Sequence, residues 1–471
     1  MAQDIQFAWS LYHGYENYKD KHLSNRRFKY STILPLIHHL KNKNIFTVKK
    51  AGESAEGRDI YLISIGNGDK KIFCWSQMHG DEPTATAALF DIFNFFLTEN
   101  HYPDFKRFLF DNTTIYFMPM VNPDGAELFQ RRNIFEIDLN RDALQKQSPE
   151  AKILCSAFDE IKPNFGFNLH DQDRAYSAGL SGKSAAISFL APPFDYAKTL
   201  IESRTNSMKL ISEQYNLLSE FIPGHIAKYQ NDYEPRAFGD NFTKSGSSIV
   251  LIESGGWRND REKEFLRKIN FISLLTSFKS IAEESYLTEK IETYESIPNN
   301  EKLMIDFIIR NITIRKFQTK YIVDIGINYE EVNINKNHNF YYKAKIEDIG
   351  DLSVYSGYKE LDATGLTLIL GKTYETEFNS VNEIKSVEPS TLLQKGITNL
   401  KLSNKEIEDK YSPALFNIIL NNKERKEELK EESIPNFILC ERKKFKYAVI
   451  NGFLIKANTV GRKEGNALIF K

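Results

Sequence analysis

His79 and Glu82 stand two residues apart in the segment Gln77-Met78-His79-Gly80-Asp81-Glu82, directly after the apolar run 72–76. On a turn from a strand into a helix, an imidazole and a carboxylate at that spacing reach one divalent ion together. His170-Asp171 closes a second apolar run, 165–169. Two histidines and one carboxylate are the donor set of a three-ligand zinc site, whose fourth position stays open for water. His-x-x-Glu alone arises by chance in many proteins, and the remote histidine at the end of its own apolar run is what gives the pair weight. Two more runs end in polar groups: 114–121 in Asn122-Pro123-Asp124-Gly125, and 248–252 in Glu253-Ser254-Gly255-Gly256. A carboxylate facing a metal-activated water is a general base for hydrolysis. The bland alternative for Glu253 is a strand-end carboxylate that caps a nearby loop.

Four polar segments at the ends of apolar runs require strands that deliver those ends to one edge of a sheet, where open α/β sheets bind ligands. Residues 60–65 and 187–190 are further strand candidates. Between the strands lie helical patterns. In 83–97, Asp81 is placed to cap, Pro83 sits in the first turn, and Ala85, Ala88, Leu89, Ile92, Phe93 and Phe96 recur at helical spacing. Residues 1–45 and 261–285 are also helical in pattern. The expected fold over 1–290 is α/β, a mixed, mostly parallel sheet with helices on both faces. A polar stretch, 286–302, marks a boundary. Beyond it, 300–471 reads as a β-rich, sandwich-like accessory domain, with short β-branched or aromatic runs at 305–314, 321–327, 340–346, 367–370 and 448–456. The Lys/Glu/Asn-rich stretch 403–434 is expected to be a helical, charged insertion.

Composition narrows the function classes. The chain has 471 residues, 41% of them hydrophobic with 34 Phe and 23 Tyr, enough for two buried cores. Lys+Arg total 62 against Asp+Glu 63, a balance without global attraction to nucleic acid or to an anionic membrane. No run approaches the ~20 apolar residues of a membrane span. The start lacks a basic stretch followed by an apolar run and a small-residue cleavage site, so a cytoplasmic location is expected. Only Cys74, Cys155 and Cys440 are present, scattered and odd in number, so no disulfide framework is expected.

Taken in order, His79-x-x-Glu82, Asn122-Pro123-Asp124-Gly125, Arg131-x-Asn133, Asp138-Leu139-Asn140-Arg141, His170 and Leu251-Ile252-Glu253 resemble the zinc metallocarboxypeptidase family over roughly residues 45–285. The resemblance implies one zinc ion per chain on His79, Glu82 and His170, with Glu253 as general base. It implies Arg131 as the group that stabilises the developing oxyanion. Arg132 is its neighbour, and the seven-residue gap to Asp138 favours Arg131. Asn140 and Arg141 resemble the pair that docks the substrate's terminal carboxylate, for which a guanidinium fork is suited. Asp138 resembles the carboxylate that accepts a hydrogen bond from the first histidine and fixes its tautomer. The family's mobile substrate-covering tyrosine has no clean counterpart. Tyr229 and Tyr233 both fall in the corresponding stretch, and Tyr233 is taken as the candidate.

The expected function is hydrolysis of the C-terminal amide bond of peptides by a zinc-activated water. The substrate is then a peptide or a small carboxylate-bearing amide, with no nucleic acid and no membrane partner. Two other readings share parts of the pattern. One is a zinc amidase, deacylase or cell-wall peptide hydrolase acting on small carboxylate-bearing substrates. The other is a non-catalytic peptide-binding module.

Overall fold

A computed structural model of the chain describes residues 2–385, 387–403, 410–420, 425–457 and 465–470. These divide into two compact units, Met1–Lys302 and Leu303–Lys471.

The first unit is built on one sheet. Its strands are β1 (Thr47–Glu53), β2 (Asp59–Gly66), β3 (Lys70–Ser76), β4 (Thr113–Met118), β5 (Phe165–Asp171), β7 (Ile187–Leu190), β8 (Ile226–Lys228) and β9 (Ser248–Ser254), while β6 (Ser177–Ala178) pairs separately with β10 (Asn300–Glu301). The order across the sheet is β1-β2-β4-β3-β5-β9-β7-β8. At the centre, β4, β3, β5 and β9 run parallel. The outer strands β1, β2 and β7 are antiparallel to their inner neighbours. Central strands of a covered parallel sheet are buried on both faces, which is why β3, β5 and β9 read as near-continuous apolar runs. All seven residues of β9 are buried.

Helices cover both faces. In chain order they are α1 (Ala2–Gly14), α2 (Tyr30–Lys41), α3 (Thr84–Leu97), α4 (Pro103–Asn112), α5 (Pro123–Leu128), α6 (Pro149–Ile161), α7 (Glu202–Leu218), α8 (Phe238–Lys244), α9 (Glu264–Glu283) and α10 (Ile291–Ser296). One apolar core packs α3, α7 and α9 on one face. A second, around Phe73, Trp75, Phe158 and Phe242, packs α6 and α8 on the other. The alternation Phe73/Cys74/Trp75 sends neighbouring residues of β3 into opposite cores, as the two-residue period of a strand requires. Helix α3 starts one residue later than its pattern suggests, with Pro83 at its N-cap position and no side-chain cap from Asp81.

Periodicity gives no hint of the ion pair inside the first core. Asp91 of α3 is fully buried and accepts hydrogen bonds from Arg267 of α9, from the Tyr15 hydroxyl at 2.8 Å and from the Asp20 amide at 2.7 Å. Arg267 also donates to the carbonyls of Leu23 and Asp20. One charge pair thus ties the N-terminal segment to two core helices, with both ions fully hydrogen-bonded, the condition under which a buried pair is tolerated.

In the second unit, Met304–Lys316, Thr319–Ile334 and Asn339–Gly350 form long antiparallel strands. They continue into a sheet with Thr367–Leu370, Asn436–Glu441, Lys444–Ile450 and Phe453–Lys456. A five-stranded sheet includes the parallel strands Lys372–Phe378, Ile397–Leu402, Asn417–Leu420 and Ala467–Phe470. Ile438, Cys440, Ala448 and Ile450 of the first sheet share a core with Leu400, Leu402 and Ile418 of the second, so the two pack face to face. The stretch 403–434 departs from expectation. Its described residues hold the strands Tyr411–Ser412 and Asn417–Leu420 and no helix, while 404–409 and 421–424 lie outside the described residues. The run Asn417-Ile418-Ile419-Leu420 is fully buried, and that apolar content outweighs the flanking charge that suggested a solvated helix. All three cysteines are buried and free. Among the described residues no helix is long and apolar enough to cross a membrane.

Replacing Asp91 with Ala leaves Arg267 buried without a counter-charge. Urea unfolding should show a loss of about 3–5 kcal/mol, the cost of breaking a buried pair by removing one partner. Amide exchange should speed up in residues 15–23 before the sheet loosens; unchanged exchange there would contradict the tethering role.

Candidate active site

Because β4, β3, β5 and β9 are parallel, the four polar segments that follow them emerge at one edge of the sheet. After β3 the chain turns sharply. Gln77 takes a left-handed conformation (φ +50°), and its side-chain amide donates to the Gly80 carbonyl at 2.9 Å. Gly80 is required by close approach, since a Cβ there would fall 2.0 Å from the Gly125 carbonyl carbon. The Glu82 amide then donates to the His79 carbonyl at 3.2 Å, a tight turn that puts both side chains on one side. Asn122 braces this turn. Its Oδ1 caps the Gly125 amide and its Nδ2 reaches the Met78 carbonyl. Asp124 holds Ser54, the Glu56 amide and Arg58. Asn122-Pro123-Asp124-Gly125, expected as a turn, is therefore the N-cap and first residues of α5, with its polar groups spent on structure.

His79, Glu82 and His170 come together in a buried cluster, with one donor atom of each within 4.8 Å of the others. His79 Nδ1 lies 2.7 Å from Glu82 Oε1, and His170 Nδ1 lies 2.7 Å from Glu82 Oε2. His79 Nε2 faces Asp138 Oδ1 at 3.0 Å. If Nε2 carries the proton and donates it to Asp138, Nδ1 presents a bare lone pair toward a carboxylate oxygen. Two lone pairs at 2.7 Å repel unless a proton or a metal ion sits between them. The chain's own charges meet this need in part. Burial disfavours charge on His79, but Glu82 and Asp138 more than offset it and push its pKa up to about 9. Burial likewise opposes charge on Glu82, yet His79 and His170 hold it well below the usual carboxylate range. Arg131 Nη1 reaches to 3.1 Å from both His79 Nδ1 and Glu82 Oε1, so a cationic group already addresses this face of the donors. Nitrogen and oxygen donors, buried and converging on a point that favours positive charge, fit zinc.

Glu253 is the direct cross-strand partner of His170. It is buried, and its Oε2 has no hydrogen-bond partner among the described residues. Burial raises its pKa well above the ordinary value, and the negative charge of Glu82 adds to the effect. Arg131 spans Glu82 and Asp138, while Arg132 turns away to the Glu136 carbonyl. Of the two arginines, the structure brings Arg131 to the cluster.

Asn140 and Arg141 lie on the short 3-10 turn Leu139–Arg141, beside the loop 229–237 and the start of α8. Asn140 Oδ1 accepts from the Phe238 amide at 3.1 Å, and the Ala143 amide donates to the Arg236 carbonyl. Arg141 Nε faces Glu234 at 3.2 Å, and Arg236 grips the same carboxylate through two nitrogens at 2.9 Å each.

Tyr233 is the outer of the two tyrosines along this loop. Its ring packs edge-on against Tyr196, with centroids 5.0 Å apart, and its charged neighbours are Asp240, Asp195 and Glu234. Tyr229 instead shares the surroundings of Glu253. The Glu253 charge is the largest influence raising its hydroxyl pKa, followed by burial, Tyr176 and Glu82. The physical reason is position. Tyr229 is the first residue after β8, with its amide bonded to the Phe189 carbonyl, whereas Tyr233 lies four residues farther out on the loop. Lys263, Thr84 and Glu234 are polar residues of ordinary type that the sequence does not single out, although Thr84 follows Glu82 by two positions.

The zinc carboxypeptidase family model matches residues 33–188. That stretch is similar to the family's sequence pattern. It contains seven of the expected site residues, from His79 to His170, while Glu253 follows the matched region. Among curated proteins, Carboxypeptidase SOL1 of Arabidopsis thaliana is 27% identical over 136 residues, covering 25% of this chain and 28% of that protein. Gamma-D-glutamyl-L-diamino acid endopeptidase 1 of Lysinibacillus sphaericus is 27% identical over 128 residues, covering 26% of this chain and 30% of that protein. The chain thus spans about a third or less of the length of these relatives. A metallo-carboxypeptidase structure from Burkholderia cenocepacia aligns with 55% of this chain and 70% of its own, at 16% identity and a TM-score of 0.44.

Removing one donor tests whether His79, Glu82 and His170 hold a metal ion. His170→Ala should bind far less than one zinc per chain by elemental analysis after dialysis. The wild type should hold about one, the stoichiometry of a three-ligand site. Equal zinc in both would place the metal elsewhere.

Proposed function

We propose that the chain is a zinc-dependent carboxypeptidase that hydrolyses the C-terminal amide bond of peptides. The observation that carries this reading is the pairing of His170 with Glu253 across β5 and β9, one histidine on Glu82 and one carboxylate with an unpartnered buried oxygen. Zinc held by His79, Glu82 and His170 would supply Lewis acidity, acidifying water and polarising the scissile carbonyl.

The remaining work falls to the chain's own groups. Glu253 takes the proton from the attacking water at its unpartnered Oε2 and returns it to the leaving amine. Burial supports this assignment, because it raises the Glu253 pKa and so strengthens the carboxylate as a base. Arg131, fixed by Asp138, sets positive charge where the transition state becomes negative. Asn140 and Arg141 receive the substrate's terminal carboxylate, with Arg141 exchanging Glu234 for it. Tyr229, close to Glu253, covers the bound substrate.

That same Glu234 contact favours one second reading. With its guanidinium already facing an internal carboxylate, Arg141 has less to offer a free C-terminus, which suits a hydrolase of cell-wall peptides. The Lysinibacillus relative is named an endopeptidase for gamma-D-glutamyl-L-diamino acid substrates.

Two measurements separate these outcomes. Glu253→Gln should lower kcat by about 10²–10⁴-fold, the range of a lost general base, with zinc content unchanged. Full activity in that variant would remove Glu253 from the mechanism. On a peptide ladder, amidating the C-terminus should abolish cleavage by a carboxypeptidase, whereas an endopeptidase cuts both forms at similar rates.

A further inference from the structure

Lys263 precedes α9 in a left-handed conformation (φ +55°), and its side chain is only 14% exposed. Its ammonium donates to the Ser254 carbonyl at 2.8 Å and to the Gln172 carbonyl at 3.5 Å, and it lies 3.3 Å from Asp171 Oδ2. These contacts share one location. Asp171 and Gln172 directly follow the metal-ligand candidate His170, and Ser254 directly follows Glu253.

The β5–β9 ladder ends here. His170 pairs with Glu253, Asp171 with Ser254, and the last rung is the Gln172 amide donating to the Ser254 carbonyl at 2.9 Å. Strand ends splay beyond their last rung because no further ladder bond restrains them. The Lys263 ammonium supplies the restraint from a third element, with charge-assisted hydrogen bonds, which are stronger than neutral ones.

A second arm runs through Asp171. Its Oδ2 accepts the Thr84 hydroxyl at 2.6 Å, and its amide donates to Glu82 Oε2 at 3.2 Å. Thr84 is the first residue of α3, two after Glu82. The same cationic group therefore steadies Glu82 from one side and the His170–Glu253 pair from the other.

We infer that Lys263 is a positioning residue for the metal centre. It closes the open end of the β5–β9 ladder and, through Asp171, holds Glu82 in register with both histidines. The inference rests on the zinc reading of His79, Glu82 and His170. A merely stabilising ion pair would change the unfolding free energy and leave the metal affinity of the folded protein as it was.

Zinc affinity therefore decides the matter, measured on the full chain by competition with a chromophoric chelator after metal removal, at a temperature where circular dichroism shows the protein folded. Lys263→Met should weaken zinc binding about 10–100-fold, the usual effect of losing a group that orients a metal ligand. Lys279→Met is the control. Lys279 sits on α9 itself, is similarly covered, and pairs with Asp4 and Glu283. It should leave zinc affinity unchanged. Thr84→Val keeps the side-chain shape and deletes one hydrogen bond, so it should weaken binding about fivefold. Zinc affinity of K263M within twofold of the wild type, or an equal loss in K279M, overturns the inference while leaving the metal reading intact. If K263M does not fold, unchanged affinity in T84V overturns it instead. A wild-type chain that takes up no zinc defeats the metal reading and this inference together.

Discussion

A single buried carboxylate organises the centre of the first unit. Glu82 receives His79 on one oxygen and His170 on the other, with Arg131 and the Asp171 amide completing its shell. Burying a carboxylate is costly unless opposite charge and hydrogen bonds surround it. Here those partners come from β3, β5 and the segment after α5, so the site exists only if the parallel centre of the sheet is correctly assembled. The apolar runs of β3, β5 and β9 are what enforce that assembly, since each buries both faces. Folding and chemistry are coupled at this point: the hydrophobic strands set where the polar ends arrive, and the polar ends demand a cation once they are there.

The groups that would recognise a substrate are arranged differently. Asn140, Arg141 and Ala143 are joined to the loop at Glu234, Arg236 and Phe238 by side-chain and backbone contacts. Arg141 and Glu234 are partly exposed, and an ion pair in that setting contributes about 0–1 kcal/mol. A contact of that strength yields readily to a competing carboxylate. His79, Glu82, His170 and Glu253 are buried at or just beyond strand ends, and the partly exposed Arg141–Glu234 pair lies on the loop side, which matches the general division between scaffold and loop.

How legible all this is in the sequence depends on the range of the interaction. The donors His79, Glu82 and His170 and the Glu253 carboxylate were readable because each follows an apolar run whose type is a local property. The parallel order of those runs follows from a simple rule about strands alternating with helices. Tyr229 and Tyr233 were not separable, because choosing between them requires knowing that β8 ends at Lys228, a three-residue strand with no pattern of its own. The Asp91–Arg267 pair and Lys263 were invisible for a related reason. Each is an ordinary charged residue on a helix or at its edge, and its partner lies far away in the chain. The region 403–434 misled because its charged residues outnumber the buried Asn417–Leu420 core segment, although the four apolar-facing residues decide its structure.

Asp138 shows how the separate parts are joined electrostatically. One oxygen takes His79 Nε2 and the Asn140 amide, and the other takes Arg131. Burial would raise its pKa, but the His79 hydrogen bond and the charges of His79 and Arg131 keep it firmly ionised. A fixed negative charge at this position orients the His79 ring, the Arg131 guanidinium and the Asn140 backbone at once. Glu253 is the opposite case, a carboxyl whose burial and proximity to Glu82 and Asp171 favour its protonated form. Positive charge seated among His79, Glu82 and His170 acts directly against that repulsion. Two acids beside the same cluster are thus driven toward opposite protonation states by their surroundings, Asp138 toward the ionised form and Glu253 toward the protonated one.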